Sequence, residues 1–171
     1  MLRVEKGLQG RELWISNSNF SQPVPAVILF ESHLGGTLVS NIVMADDGIV
    51  FDGNSMSDGP LGGAETAFVS LAEAFVRRGH SVQIYNKCNH SMTKNGVVWK
   101  NIEASLPTSS DLYIANRGDR LLRLVPETRS RVFWLHNPAS YIKKWRYISK
   151  IWMTQPTAVF SSDFHLRSCP S

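Results

Sequence analysis

Cysteine is scarce in this sequence. The two that occur, Cys88 and Cys169, lie far apart and neither has a second ligand at metal-binding spacing. A disulfide framework and a zinc knot are therefore excluded, and free thiols in a reducing cytoplasm are expected. No run of eighteen apolar residues occurs, which removes a membrane-spanning helix from the expectations. At the amino terminus Arg3, Glu5, Lys6, Arg11 and Glu12 leave no apolar core for a secretory signal. Repeats and low-complexity segments are absent. So is any cluster of histidine, cysteine and carboxylate with metal-ligand spacing, and no metal site is expected.

What remains is the composition of a globular protein. Of 171 residues, 43% are hydrophobic and 19% charged, enough for one domain with a core and too few for two ordinary ones. The net charge is +4 and the pI about 9.3, yet the charge is uneven. Between Arg117 and Lys150 stand nine lysines and arginines against Asp119 and Glu127, so the rest of the chain is net acidic. A basic face suggests an anionic partner: a phosphate-bearing metabolite, an anionic lipid surface or nucleic acid. No nucleic-acid motif accompanies it, so nucleic acid is the weakest of the three.

The chain is organised around a βαβ unit over residues 49–85. The run 49–51 reads as a strand and 55–63 as a small-residue loop. Phe68, Leu71, Ala72, Phe75 and Val76 have the spacing of a helix face. Arg77, Arg78 and Gly79 close that helix, two cations and then a glycine suited to the left-handed cap. Residues 80–85 are the second strand, and so short a turnaround requires a parallel pair. Further strands are expected at 97–102, 111–116, 131–136 and 158–161, with a polar loop over 88–96. Helices are expected from Arg120 to Val125 and from about residue 139 to 152. Apolar strands alternating with helices predict an α/β fold: a Rossmann-like parallel sheet with helices on both faces in a three-layer α/β/α arrangement. Upstream, 26–30 and 37–44 read as two strands of a hairpin. Residues 1–43 are either an N-terminal extension, hairpin or poorly ordered, or part of the core. The compact domain is placed at 44–171.

In such sheets ligands bind at the carboxyl ends of the strands. Asn54 to Gly63, Asn86, Asn116, Arg117, Gly118, His136, Asn137, Pro138 and residues 161–163 fall there. Gly62 and Gly63 before a helix offer backbone N–H groups and a positive helix end, which is either an anion site or simply a turn. The order is not G-x-G-x-x-G, and Tyr85, Asn86 and Lys87 stand where an acidic residue would follow the second strand. A nicotinamide site is disfavoured. His136 at a strand end is either a base or donor toward substrate, or a hydrogen-bonding core residue. Glu65 and Glu73 do not share a helix face and read as solvated charges; Asp46 and Asp47 flank a turn.

In the 139–152 helix, Tyr141, Ile142, Trp145, Ile148, Ile151 and Trp152 share one half of the wheel, while Lys143, Arg146 and Lys150 share the other and Lys144 is the exception. Such a helix can lie in a membrane interface, with Lys143, Trp145, Arg146 and Lys150 as the membrane-facing candidates, or pack its apolar side on the sheet and leave the basic side in water.

Taken together, the loop ending Gly62, Gly63, Ala64 and Glu65, the helix closed by Arg78, Gly79 and His80, the strand 111–116, and Trp134, Leu135, His136 and Asn137 resemble the amino-terminal half of family 4 glycosyltransferases of the GT-B fold. The resemblance covers residues 48 to 168. It implies a retaining, metal-independent transfer of sugar from a nucleotide-sugar donor, which is a substrate, with no cofactor. Gly62, Gly63, Glu65, Asn116, Arg117 and Asn137 are implied to line the donor diphosphate and substrate site, and His136 the reaction centre. The acceptor is implied to be a glycan, a lipid or a small molecule. The family's carboxy-terminal donor domain, with its E-x7-E grip, has no counterpart before Ser171. A fragment inactive alone is therefore expected, completed by a second Rossmann-like domain. The expected location is cytoplasmic, with peripheral contact at the inner membrane face left open. The competing reading is a non-catalytic α/β module binding an anionic metabolite or a membrane surface.

Overall fold

The computed structural model describes residues 2–3, 16–17, 39–136 and 142–160. Residues 2–3 and 16–17 form a two-residue antiparallel pair. Everything else is built on one seven-stranded sheet. Its strands are β1 (Asn41–Asp46), β2 (Ser81–Asn86), β3 (Met92–Lys94), β4 (Val97–Asn101), β5 (Ser109–Asn116), β6 (Glu127–Leu135) and β7 (Thr157–Phe160). They lie in the order β3-β4-β2-β1-β5-β6-β7. All neighbours are parallel except β3, which pairs antiparallel with β4. Leaving out β3, the parallel strands run 3-2-1-4-5-6, the order of a doubly wound Rossmann-like sheet.

The strand that feeds the glycine loop is not the expected one. β1 spans 41–46, whereas Ile49 and Val50 are 54% and 57% exposed in a connecting turn. Asn41 to Val43 therefore belong to the central strand, upstream of the expected domain start at 44. Both edges of β1 are occupied, by β2 and β5, so residues 41–44 cannot serve in a hairpin with 26–30, a segment outside the described residues. The physical reason is burial on both faces. Ile42 and Met44 face one hydrophobic cluster, Val43 and Ala45 another, and a run apolar on consecutive positions suits a central parallel strand. In the run 49–51 only Phe51 is buried. It works as a plug at the carboxyl end of the sheet, edge-on to Phe68 and Trp99 at centroid distances of 6.3 and 5.8 Å. Asn86 at the end of β2 holds the plug in place by donating to the Phe51 carbonyl at 2.6 Å.

Helix α1 (Ser55–Asp58) is a single turn inside the loop, and α2 (Gly63–Arg77) is the main helix of the first cluster. Phe68, Leu71, Ala72 and Phe75 pack there against Ile42, Met44, Val82 and Ile84. Its carboxyl end closes as the sequence predicts. Gly79 has φ +88°, its N–H donates to the Val76 carbonyl at 2.9 Å, and the His80 N–H donates to the Phe75 carbonyl at 3.1 Å. These two bonds make a Schellman motif. The Phe75 and His80 rings then meet edge to face at 6.0 Å.

The second cluster joins Val43, Ala45, Tyr113, Phe133 and Leu135 to a 3₁₀ helix (Asp119–Arg123), Val125 and Tyr147 of helix α3 (Trp145–Thr154). Tyr113 is fully buried there and its hydroxyl donates to the Leu121 carbonyl at 2.6 Å. Burial pushes its phenol well above the ordinary value, so it stays a neutral donor. Tyr113→Phe is expected to cost about 0.5–1.5 kcal/mol in urea unfolding, because the Leu121 carbonyl keeps the Leu124 N–H as a second donor.

Residues 88–96 are not only loop. They contain β3, which hairpins back on β4 and forms one edge of the sheet. Among the described residues no helix is long and apolar enough to cross a membrane.

Candidate functional site

The strand order places the site. Strands β1 and β5 lie side by side and their connections depart to opposite sides, which makes their carboxyl ends the switch point where doubly wound sheets bind ligands. Asp46 is in register with Asn116, and Asn116 with Trp134, two residues before His136. The strand ends carrying Asp46, Arg117 and His136 are therefore immediate neighbours. The His136 ring lies 5.0 Å from that of Trp134, tilted by 39°.

Arg117 is the centre of the arrangement. Its Nη2 donates to both oxygens of Asp46 at 3.0 and 2.7 Å, its Nε to Oδ2 at 3.2 Å, and its Nη1 to Glu65 Oε1 at 2.7 Å. Asn116 Nδ2 adds a bond to Asp46 Oδ2 at 2.5 Å and the Gly48 N–H one to Oδ1 at 2.8 Å. Asp46 is 0% exposed and Glu65 5%. Two buried carboxylates are tolerable only because one planar guanidinium serves both in a fork geometry. Burial alone would lower the arginine's pKa. The hydrogen bonds and charge of Asp46, then of Glu65, outweigh it and hold the guanidinium above its ordinary value.

The backbone of Arg117 is strained to make this possible. Its φ is +65°, its N–H donates to the Trp134 carbonyl at 2.9 Å, and the Gly118 N–H closes onto the Asn116 carbonyl at 2.7 Å. A three-residue ring around a positive-φ residue is the rare form of γ-turn. A non-glycine residue held there costs on the order of 1–3 kcal/mol and marks functional sites more often than other positions.

At the amino end of α2, Gly62 is the N-cap, and a Cβ there would lie 2.2 Å from Glu65 Oε2. The glycine is needed because Glu65 folds back across it. Gly63 faces open space. Two expectations change accordingly. Glu65 is not a solvated helix charge but the second partner of Arg117, and an internal carboxylate already stands beside the helix end offered to a phosphate. Glu73 is partly buried as well, accepting from Asn95 Nδ2 at 2.7 Å, with Arg77 at 3.7 Å. Asp46 flanks a turn as expected, accepting from the Gly48 N–H, and is besides the most buried carboxylate of the site. No periodicity points to that burial; the signal is the first of two aspartates following the apolar run 42–45.

Asn116 Oδ1 is buried and has no hydrogen-bond donor among the described residues. Asp47 completes the acidic side: burial, and then the neighbouring charge of Asp46, push its pKa up from the ordinary 3.8, while Lys87 and Arg117 pull it down less. A raised carboxyl pKa contributes stability that is full below 3.8 and is lost as pH rises through the folded value. Asp47→Asn is thus expected to stabilise the protein at neutral pH and to leave stability below pH 3.8 unchanged, which thermal unfolding followed across pH would read.

The basic helix follows its sequence pattern only in part: Ile142 and Ile151 pack on the second cluster, whereas Trp145, Ile148 and Trp152 are exposed and Lys150 turns inward. Residues 142–144 form a turn and the helix begins at Trp145. Lys150 Nζ pairs with Asp119 Oδ2 at 2.5 Å and Arg146 Nε with Oδ1 at 3.6 Å, so two of the four membrane-facing candidates point at the 3₁₀ helix. Lys143 and Trp145 are exposed. Asp119 is 6% exposed, and a buried carboxylate without a cation costs more than leaving indoles in water. Asn137, Tyr141 and residues 161–163 lie outside the described residues. Among those described, no group of three or more histidines, cysteines and carboxylates is placed to hold a metal ion. Cys88 is a buried free thiol whose pKa is raised by burial and then by Asp52.

Compared with protein-family models and with curated proteins, the sequence returns no match in either.

Proposed function

We propose that this domain is the acceptor-side half of a glycosyltransferase of the GT-B fold, a three-layer α/β/α unit working opposite a second Rossmann-like domain that grips a nucleotide-sugar donor. The observation that carries it is the convergence, at one switch point, of the Arg117 network, the amino end of α2 and the strand end bearing His136. Transfer breaks the bond between the sugar's anomeric carbon and the diphosphate oxygen. It forms one to an acceptor hydroxyl, whose proton leaves with the diphosphate. Charge develops on the leaving oxygen, and preorganised N–H donors at a helix end favour that charge. A diphosphate arriving there takes the place of Glu65 beside Gly62 and Gly63, and as the second partner of Arg117. Asn116 Oδ1, a buried acceptor without a donor among the described residues, suits a substrate hydroxyl.

The cytoplasm, where nucleotide sugars are made, is the proposed location. The test is transfer of label from a panel of radioactive nucleotide sugars into an extract of glycans and lipids, using the protein together with its donor domain. Incorporation from one donor without added metal supports the reading. No incorporation from any donor, by protein of native circular dichroism, counts against it.

A further inference from the structure

The exposed face of α3 is built of the residues that should be hidden. Trp145 is 78% exposed, Trp152 77%, Met153 57% and Ile148 43%. At 100° per residue these four span an arc of about 140°. The opposite arc is satisfied internally: Tyr147 is buried, Ile151 packs on the second cluster, Lys150 holds Asp119, and Thr154 Oγ1 donates to the Lys150 carbonyl at 2.7 Å. The helix cannot roll to bury its tryptophans without pulling Lys150 away from a buried carboxylate. A contiguous exposed patch with two indoles marks an interaction surface.

The surrounding charge selects the partner. Lys143 and Lys144 are exposed just ahead of the helix, and Arg120 and Arg123 are exposed on the 3₁₀ helix against which α3 packs, beside the partly exposed Leu124. Among residues 117–160 the only acids are Asp119, already paired with Lys150, and Glu127. Tryptophans with aliphatic neighbours on one face, flanked by cations, match an acidic bilayer surface: the indoles take the headgroup boundary and the lysines and arginines the anionic phosphates. We propose that α3 docks this domain on an anionic lipid surface through Trp145, Ile148, Trp152 and Met153, with Lys143 and Lys144 as its electrostatic rim.

The inference is independent of the sugar-transfer reading, and its test uses no substrate. The purified chain is floated with phosphatidylcholine vesicles containing or lacking phosphatidylglycerol. Binding is expected to require phosphatidylglycerol and to weaken with salt. It should fall at least about tenfold in Trp145→Ala/Trp152→Ala, whose positions are exposed and whose fold should be intact. Lys143→Glu/Lys144→Glu should lose the preference for anionic vesicles while keeping the native circular dichroism. Three results overturn the proposal: folded protein that never floats, equal flotation of the wild type and the double-tryptophan variant, or equal binding to both vesicle types. A dimer that dissociates in Trp145→Ala/Trp152→Ala, with no vesicle binding, would overturn it too and give the face to a second copy.

Discussion

Arg117→Ala is expected to destabilise the fold by about 3–5 kcal/mol, the cost of leaving buried carboxylates without their cation. Asp46 is fully buried, and the arginine's Nε and Nη2 are committed to it while Nη1 serves Glu65. Removal takes the cation from both acids at once and leaves Asp46 with the Asn116 amide and the Gly48 N–H. The loss would be read as a lower urea midpoint at unchanged slope. Three companions separate the causes. Arg117→Lys should recover only part of the loss, because one ammonium cannot reproduce the fork. Arg117→Gly should be less harmful than Arg117→Ala by about 1 kcal/mol, since glycine accepts the +65° backbone without strain. Adding Asp46→Asn to Arg117→Ala should cost less than the two singles summed, because the charge left unpaired is then gone. A loss below about 0.5 kcal/mol for Arg117→Ala would mean that this network does not hold the strand ends together.

On the proposed function, His136→Ala, assayed together with the proposed donor domain, is expected to lower turnover by about 10²–10⁴-fold, the range for a positioned proton donor or acceptor. The variant also loses the ring's contact with Trp134 at 5.0 Å, worth about 0.5–1.5 kcal/mol, so turnover is compared where it keeps the native circular dichroism. If the effect is on kcat with KM nearly constant, the imidazole acts on the transition state; a change in KM alone would mean uniform substrate binding. Turnover close to wild type would take His136 out of the reaction centre. The two variants report on different things, because Arg117 bonds to two buried carboxylates of the site and His136 is the residue proposed for the reaction centre.

The α/β class and most elements follow from local pattern. Helix α2 shows both its periodic face and its Arg77, Arg78, Gly79 ending, and the Schellman cap forms as that ending requires. Strands β2, β4, β5, β6 and β7 overlap the runs expected for them. The first strand differs from the expected one because two apolar runs, 42–45 and 49–51, are separated by only three residues. Only the pairing of β1 with both β2 and β5 distinguishes a central strand from a loop that plugs the sheet with Phe51. Of the site, Asn116, Arg117 and the two glycines are legible as residues of the strand ends and the loop before the helix, whereas Glu65 reads by position as a solvated helix charge. Their roles are not legible there: the bonds that define them span 52 to 71 positions in sequence.

By itself, then, the sequence determined the elements, their alternation, the helix caps and the apolar, two-sided character of the sheet. These depend on residues a few positions apart, whose spacing sets backbone preference and burial. Only the tertiary structure decided that Asp46 ends the central strand and that Glu65 is buried against Arg117. It also decided that α3 turns Lys150 inward and its tryptophans out. Each of these is a choice between burying a charge with a partner and leaving apolar surface in water, and the partner in every case is brought from a distant part of the chain by the sheet.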